Sequence, residues 1–105
     1  MRAISPNQSA GTAESLAILR GLRPELARQG VGRLWLFGSR ARQTAGPGSD
    51  WDVLVEFTEP PGLGDYMSLK FWLEEKLGGR VDVVSRAACK PRFLAAINDE
   101  LLDVA

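Results

Sequence analysis

The stretch "GSRARQTAGPGSDWDVLVEF", residues 38–57, decides the fold, because a polar and glycine-rich connection leads here into a short apolar segment. In "WDVLVEF" the side chains point alternately to two sides, which is typical of a β-strand. The segment before the connection, "VGRLWLF", is rich in branched and aromatic residues and stops at Gly38. It predicts a strand from about Arg33 to Phe37. Two strands therefore flank a connection that carries two arginines and leads into two aspartates.

The composition limits what the chain can do. Its 105 residues are about the size of one domain, so a single core is expected. Basic and acidic residues balance at 13 each, which argues against nucleic-acid binding through bulk positive charge and against a polybasic membrane anchor. The single cysteine, Cys89, cannot form an internal disulfide, and the first residues lack the apolar core of a signal peptide. No apolar stretch approaches the roughly 20 residues that span a bilayer. We expect a cytoplasmic protein that binds neither nucleic acid nor a membrane.

The remaining segments predict helices around one further strand. Leucines at helical spacing follow Thr12, a candidate N-cap, but Pro24 should kink or split this helix. A long helix is predicted from Asp65, another N-cap candidate, to a pair of glycines. The segment "RVDVVS" predicts a third strand. A last helix is expected to begin at Pro91, with Leu94, Ile97 and Leu101 facing inward.

The order helix, strand, strand, helix, strand, helix implies an α/β (α+β) domain with a small mixed β-sheet flanked by helices. The strand-helix-strand segment favours a parallel crossover, which makes the sheet mixed. Residues 1–11 are polar and predict a flexible N-terminal arm, and residues 12–105 predict the folded domain.

Three aspartates in this layout predict a metal site. Asp50 and Asp52 are two residues apart at the start of the second strand, so their side chains leave the same face of the sheet. Two carboxylates about 4 Å apart repel by about 4 kcal/mol at an effective dielectric constant of about 20, so they need a cation or a proton between them. Asp82 interrupts the valines of the third strand and is the candidate third ligand if that strand lies beside the second. Carboxylate ligands in a chain without histidine favour magnesium or manganese over zinc.

The end of the first strand predicts an anion site. Gly38 lets backbone N–H groups approach an anion closely, and Ser39 adds a hydroxyl donor. Arg42, and also Arg40, could hold phosphate oxygens through two guanidinium N–H groups. An anion cradle that faces a metal site is the layout of phosphoryl and nucleotidyl transfer, in which catalysis is mostly positioning and charge neutralisation.

Each of these residues also has an ordinary structural explanation. A Gly-Ser pair alone is usually a turn, and an Asp-x-Asp pair alone is usually a solvated loop or cap. Asp82 could pair with Arg80 or Arg33 at a strand end, and Arg40 and Arg42 could lie on a solvated helix face. Both motifs at this spacing, with a third aspartate one helix later, favour a shared active site.

The same residues carry a resemblance to a known family. Gly38 and Ser39, followed after ten residues by Asp50-x-Asp52, resemble the signature of the minimal nucleotidyltransferases of the DNA polymerase beta superfamily. The similarity extends from about residue 14 to the end of the chain. It implies a polymerase-beta-like nucleotidyltransferase fold that uses ATP and two magnesium ions. Carried over by position, the catalytic and metal-binding residues are Asp50, Asp52 and Asp82, and the nucleotide-binding residues are Gly38, Ser39 and Arg42.

Two positions depart from the pattern of that family. Gln43 stands where a glycine is common, and Trp51 stands between the aspartates where a smaller aliphatic residue is usual. Neither position is a ligand in the family. We expect Trp51 to alter the packing behind the metal site.

The resemblance also implies a protein partner. Members of the family are often encoded with a helical HEPN-domain ribonuclease toxin, which they silence by attaching AMP to a tyrosine. It therefore implies a magnesium-dependent transfer of AMP from ATP to a protein hydroxyl and an antitoxin role. The long helix is apolar on more than one side through Met67, Phe71 and Trp72, and this extra surface could be buried against a partner in a hetero-oligomer.

Two other functions stay open. The chain could be a non-catalytic antitoxin or binding module that neutralises its partner by direct contact. It could also be a small-molecule transferase of the aminoglycoside-modifying kind, although so short a chain leaves no visible domain for the acceptor. The presence of all three carboxylates favours the enzyme.

Overall fold

The computed structural model describes residues 11–42 and 49–105. Nine elements follow one another in the described residues, and none of the helices combines the length and the apolar character needed to cross a membrane. They are α1 (Gly11–Arg20), α2 (Arg23–Arg28), β1 (Val31–Phe37), β2 (Trp51–Phe57), α3 (Leu63–Leu77), β3 (Val81–Ser85), α4 (Pro91–Ile97), a 3-10 turn (Asn98–Glu100) and β4 (Leu102–Asp103). Residues 1–10 of the expected arm lie outside the described residues, and so does Gln43.

The four strands form one mixed sheet in the order β3-β2-β1-β4. The strands β1 and β2 pair antiparallel, and β2 pairs parallel with β3, as the strand-helix-strand order predicts. Helix α3 makes the crossover that a parallel pair requires. The prediction of a small mixed sheet flanked by helices is confirmed.

Both faces of the sheet are buried, but unequally. On one face, Leu34 and Leu36 of β1 pack with leucines of α1, α2 and α3 in the larger core cluster. On the other face, Phe37 and Leu54 pack with Ile97 of α4 in a smaller cluster. Because side chains alternate along a strand, Asp52 leaves β2 on the same face as Leu54. The aspartates therefore lie on the face with the thinner cover.

One predicted helix break is confirmed, and two predicted N-caps are wrong. Pro24 does split the first helical segment, since α1 ends at Arg20 and α2 starts at Arg23. The N-cap prediction for Thr12 is wrong, because Thr12 lies within α1 and its hydroxyl donates to the Arg40 carbonyl at 2.6 Å. Asp65 is not the N-cap of α3 either. Gly62 is the N-cap instead. The carboxylate of Asp65, three residues later in the first turn, accepts the Gly62 N–H at 2.7 Å.

The C-terminal segment forms a strand that the sequence did not predict. The last helix ends at Ile97, and β4 then pairs antiparallel with the middle of β1. Two arginines from the helices at the start of the chain hold this segment extended. Arg20 donates to the Asp103 carbonyl at 2.8 Å, and Arg23 donates to the Val104 carbonyl at 2.7 Å. These long-range partners override the helical pattern.

Truncation of Leu36 should destabilise the domain strongly, because its side chain is 0% exposed in the centre of the sheet. We expect Leu36→Ala to lower the free energy of unfolding by about 2–5 kcal/mol, the usual range for a buried leucine. The same substitution at Leu63, which is 81% exposed, should change stability by less than about 0.5 kcal/mol. Urea denaturation of both variants measures the difference, and equal losses would contradict this assignment of the core.

Candidate active site

The chain makes a tight turn directly after β1. Gly38 has φ of 79°, a conformation that favours glycine, and the N–H groups of Ala41 and Arg42 both donate to its carbonyl at 3.1 Å. The hydroxyl of Thr12 in α1 holds the same turn through the Arg40 carbonyl. The backbone of residues 38–42 therefore folds over the end of β1, and a hydrogen bond from α1 holds it there.

Asp52 and Asp82 lie opposite each other in the parallel pair of β2 and β3. Residues opposite each other in a parallel pair project from the same face, so the two carboxyl groups are neighbours, and Asp82 raises the pKa of Asp52. Asp52 also lies opposite Phe37 at the end of β1, next to Gly38. A Cβ atom at Gly38 would collide with the Asp52 carboxylate. The turn after β1 and the two aspartates thus meet at one end of the sheet.

The start of β3 is held by a pair of charged side chains from α3. Lys70 donates to the Val81 carbonyl at 2.6 Å, and the Glu74 carboxylate accepts the Val81 N–H at 3.1 Å. Lys70 and Glu74 also bond to each other at 2.8 Å. The two backbone bonds secure the residue that precedes Asp82. The alternative that Asp82 pairs with Arg33 does not hold, because Arg33 lies near Asp103 at 3.9 Å.

The electrostatic environment of Asp52 disfavours its charged form. Burial raises the pKa of Asp52, and the Asp82 and Asp50 carboxylates and the hydrogen bond with Asp82 raise it further, while Arg42 opposes them. Negative charge from the three aspartates is thus concentrated at one place, and Arg42 offsets it only in part. Such a site gains free energy when a proton or a cation binds.

The donor atoms at this end of the sheet fit a hard divalent cation, since all are carboxylate oxygens. Asp50 lies just before β2, outside the strand, and contributes its charge to the field at Asp52. Within residues 11–42 and 49–105, however, no three acidic, cysteine or histidine side chains are close enough together to hold one ion. The three aspartates lie near one another and carry the oxygen ligands that a divalent cation prefers. Their roles in metal binding and catalysis stay predictions.

The two arginines of the turn have different surroundings. The Arg40 guanidinium lies 4.0 Å from the centre of the Trp51 ring and donates to the Ser49 carbonyl at 2.8 Å. Burial lowers the pKa of Arg40, and the Asp50 carboxylate opposes that shift. Arg40 therefore supports the strand start from inside the protein, which favours a structural role over phosphate binding. The Trp51 ring is the surface on which Arg40 stacks, and a different packing from that of the family stays a prediction.

Arg42 is more exposed and forms an ion pair that the sequence did not reveal. Its Nη1 donates to both carboxylate oxygens of Glu100, at 3.0 and 3.1 Å. The same carboxylate accepts the N–H of Gly38 at 2.7 Å. One signal could have identified Glu100, because it lies three residues after Ile97, close to the inward face of the predicted last helix. An acid at such a position needs a cationic or N–H partner.

The apolar surface expected on α3 is present only in part. Met67 and Phe71 are 41% and 57% exposed, and Leu63 continues the same row at 81%. Trp72 is instead half-buried and packs against the main core. The exposed row is therefore formed by Leu63, Met67 and Phe71.

Residues 19–103 match the family model described as Nucleotidyltransferase domain. This chain belongs to the nucleotidyltransferase domain family. The match covers the turn after β1 and all three aspartates, so the resemblance to minimal nucleotidyltransferases is confirmed, and with it the assignment of the chain as an enzyme of the nucleotidyltransferase class.

Two curated relatives have nearly the same length as this chain. A Methanocaldococcus jannaschii protein, provisionally named a protein adenylyltransferase, is 42% identical over 87 residues, which is 83% of this chain and 94% of that protein. The protein adenylyltransferase MntA of Thermococcus cleftensis is 37% identical over 89 residues, which is 84% of this chain and 90% of that protein.

Solved structures show the same fold. One that is provisionally described as a minimal nucleotidyltransferase superposes with a TM-score of 0.74 at 39% identity and covers 90% of this chain and 97% of its own. A toxin-antitoxin structure with AMP-PNP gives a TM-score of 0.66 at 18% identity, over 82% of this chain and 72% of that one. The MNT antitoxin in complex with the tri-AMPylated HEPN toxin of Shewanella oneidensis gives 0.64 at 16%, over 86% and 71%. The last two are similar in fold.

Substitution of Gly38 should damage the site and the fold together. Gly38→Ala introduces a side chain at positive φ and a collision with the Asp52 carboxylate, so we expect a loss of about 1–3 kcal/mol in the free energy of unfolding. Gly64 in α3 is the matched control, because a Cβ there meets nothing within 4 Å. Gly64→Ala should be neutral or stabilising by up to about 1 kcal/mol. Thermal unfolding compares the two, and a harmless Gly38→Ala would refute the proposed contact.

Removal of the Asp52 charge should stabilise the ligand-free protein at neutral pH. The folded-state pKa of Asp52 is raised, so its favourable contribution exists below the unfolded pKa of about 3.9 and is lost as pH rises through the folded value. We expect Asp52→Asn to add about 0.5–1 kcal/mol at pH 7, an estimate that allows for solvent screening of a partly exposed group.

The gain should shrink as the pH falls through the raised folded-state pKa, because wild-type Asp52 then takes up a proton. Urea titrations at several pH values in the presence of EDTA measure it. Asp103→Asn, which removes an exposed carboxylate near Arg33, is the control. A gain at Asp52 that did not vary with pH would contradict the electrostatic origin.

Proposed function

We propose that this nucleotidyltransferase transfers AMP from ATP to a protein hydroxyl, a tyrosine of a cognate HEPN-domain toxin, and thereby acts as the antitoxin. The observation that carries the proposal is the pairing of Asp52 with Asp82 beside the Gly38 turn. This places a strongly acidic cluster and a tight backbone turn at the same end of the sheet, where a triphosphate and its cations can bind side by side.

Asp50, Asp52 and Asp82 would hold two magnesium ions, with manganese as a substitute. The raised pKa of Asp52 supports this, because a bound cation offsets both the burial and the repulsion by Asp82 and Asp50 that raise it. When bound, magnesium neutralises phosphate charge and lowers the pKa of the attacking hydroxyl. The aspartates themselves fix where the acceptor hydroxyl and the α-phosphate meet.

Gly38, Ser39 and Arg42 would bind the triphosphate of ATP. Gly38 leaves the space that lets the backbone of the turn approach phosphate oxygens, and Ser39 follows it in the same turn. The Arg42 side chain is 53% exposed and reaches the same end of the sheet. These residues would orient the leaving pyrophosphate, and Arg42 would supply positive charge from outside the acidic cluster.

A protein is a more suitable acceptor than a small molecule. The relatives of similar length are named as protein adenylyltransferases, and one structural neighbour is an antitoxin bound to an AMPylated HEPN toxin. The exposed row of Leu63, Met67 and Phe71 provides apolar surface for a hetero-oligomer with the toxin. A reaction that uses ATP supports a cytoplasmic location.

Incubation with labelled ATP and magnesium tests the proposal. The protein is mixed with the product of the neighbouring gene, the expected HEPN-domain toxin. Label is followed on the partner by gel and mass spectrometry, with α-labelled and γ-labelled ATP compared. AMP transfer predicts label from the α-phosphate only, on a tyrosine. Complex formation without label would instead support the non-catalytic antitoxin.

Substitution of an aspartate should strongly reduce labelling of the toxin and leave the complex with the toxin intact. We expect Asp52→Asn and Asp82→Asn to lower the rate of labelling by about 100-fold or more, because each removes charge that stabilises the transition state. Both variants should still bind the toxin, which size-exclusion chromatography measures. Asp103→Asn should label the toxin at the wild-type rate, and undiminished labelling by Asp52→Asn would refute the catalytic assignment.

A further inference from the structure

We propose that Glu100 is a positioning residue that fixes both the Gly38 turn and Arg42 for the phosphates of the nucleotide. The inference rests on the proposed function, and it adds a residue that lies outside the motifs that identify the family. One Glu100 carboxylate, about 60 residues away along the chain, binds both the backbone at the start of the turn and the side chain at its end.

The first part is the backbone of the turn. The Glu100 carboxylate accepts the Gly38 N–H at 2.7 Å, across 62 residues of sequence. Gly38 is buried at the end of β1, so this N–H needs a partner inside the protein. The bond sets the direction in which the chain leaves β1, and therefore the place of Ser39.

The second part is the Arg42 side chain. Both carboxylate oxygens of Glu100 bond to the same nitrogen, Nη1, at 3.0 and 3.1 Å. Within the described residues, the Nε and Nη2 groups of Arg42 have no such partner. An arginine that is held through one nitrogen keeps its other donors for a second acceptor, and a phosphate oxygen pair fits them. Without Glu100, this half-exposed side chain would sample many rotamers.

The Glu100 carboxylate is itself held firmly enough to position other groups. It ends a 3-10 turn between Ile97, which is 7% exposed, and β4, which pairs with β1. Its own side chain is only 20% exposed. A carboxylate this enclosed holds its partners in one geometry, unlike a surface ion pair.

Binding of MgATP to the purified protein tests the inference, with isothermal titration calorimetry as the measurement. We expect Glu100→Ala to raise the Kd about tenfold, which is the effect of one charge-assisted contact of about 1.4 kcal/mol. Glu100→Gln keeps the size of the side chain and one acceptor oxygen, so its Kd should lie between those of the wild type and Glu100→Ala. Asp99→Ala removes an exposed carboxylate from the same turn and should bind as the wild type does.

A double-mutant cycle separates positioning from a general loss of structure. If Glu100 acts mainly through Arg42, Glu100→Ala should weaken binding much less in an Arg42→Ala background than in the wild type. Thermal unfolding of each variant reports whether the fold is intact. In the labelling reaction with the toxin, the KM for ATP should rise for Glu100→Gln more than kcat falls.

The outcomes are distinct. Failure of the wild type to bind MgATP would overturn the proposed function and this inference together. Normal wild-type binding with Glu100→Ala and Glu100→Gln both within twofold of it would overturn the inference alone. Tighter binding by Glu100→Ala would also overturn it, because the carboxylate would then compete with phosphate for Arg42. A tenfold loss that persisted in full without Arg42 would exclude the route through that side chain.

Discussion

The parallel pairing of β2 with β3 brings Asp52 and Asp82 face to face, and the other parts of the site are arranged around that pair. A slip of one residue in this register would turn Asp82 to the opposite face of the sheet. The register is secured on both strands, because the Trp51 N–H donates to the Arg80 carbonyl and α3 holds both backbone groups of Val81 through Lys70 and Glu74. The charged pair on α3 thus serves the geometry of the aspartates without touching them.

The acidic pair is unfavourable for the ligand-free fold, and neighbouring groups limit that effect. Arg42 opposes the raised pKa of Asp52 from across the turn, and Arg40 contributes positive charge beside Asp50. Arg40 is kept near the cluster by stacking on Trp51, although burial disfavours its own charge. This explains why a bulky aromatic residue is accommodated between the two aspartates of the motif. Its ring lies behind the strand and supports an arginine that the site needs nearby.

The parts that sequence predicted are those with a local signature. Branched and aromatic residues located β1, alternation located β2, the leucine stripe located α3, and the valines around Asp82 located β3. The parts that it missed depend on distant partners. Thr12 looked like an N-cap but bonds to the Arg40 carbonyl, the segment after Ile97 looked helical but pairs with β1, and Glu100 has its partners about 60 residues away. No spacing rule encodes such contacts, because they exist only once the sheet has formed.

The C-terminal segment links α1 and α2 to the candidate site. Arg20 and Arg23 of the first helices hold its backbone carbonyls, β4 pairs with β1, and Glu100 reaches the turn at the end of that same strand. The turn is therefore held from two sides, by Thr12 of α1 and by Glu100. A phosphate-binding turn that was attached only at the end of one strand would be mobile, because segments with few contacts open easily. Two independent bonds to its backbone restrict it before a nucleotide arrives, which reduces the conformational entropy lost on binding.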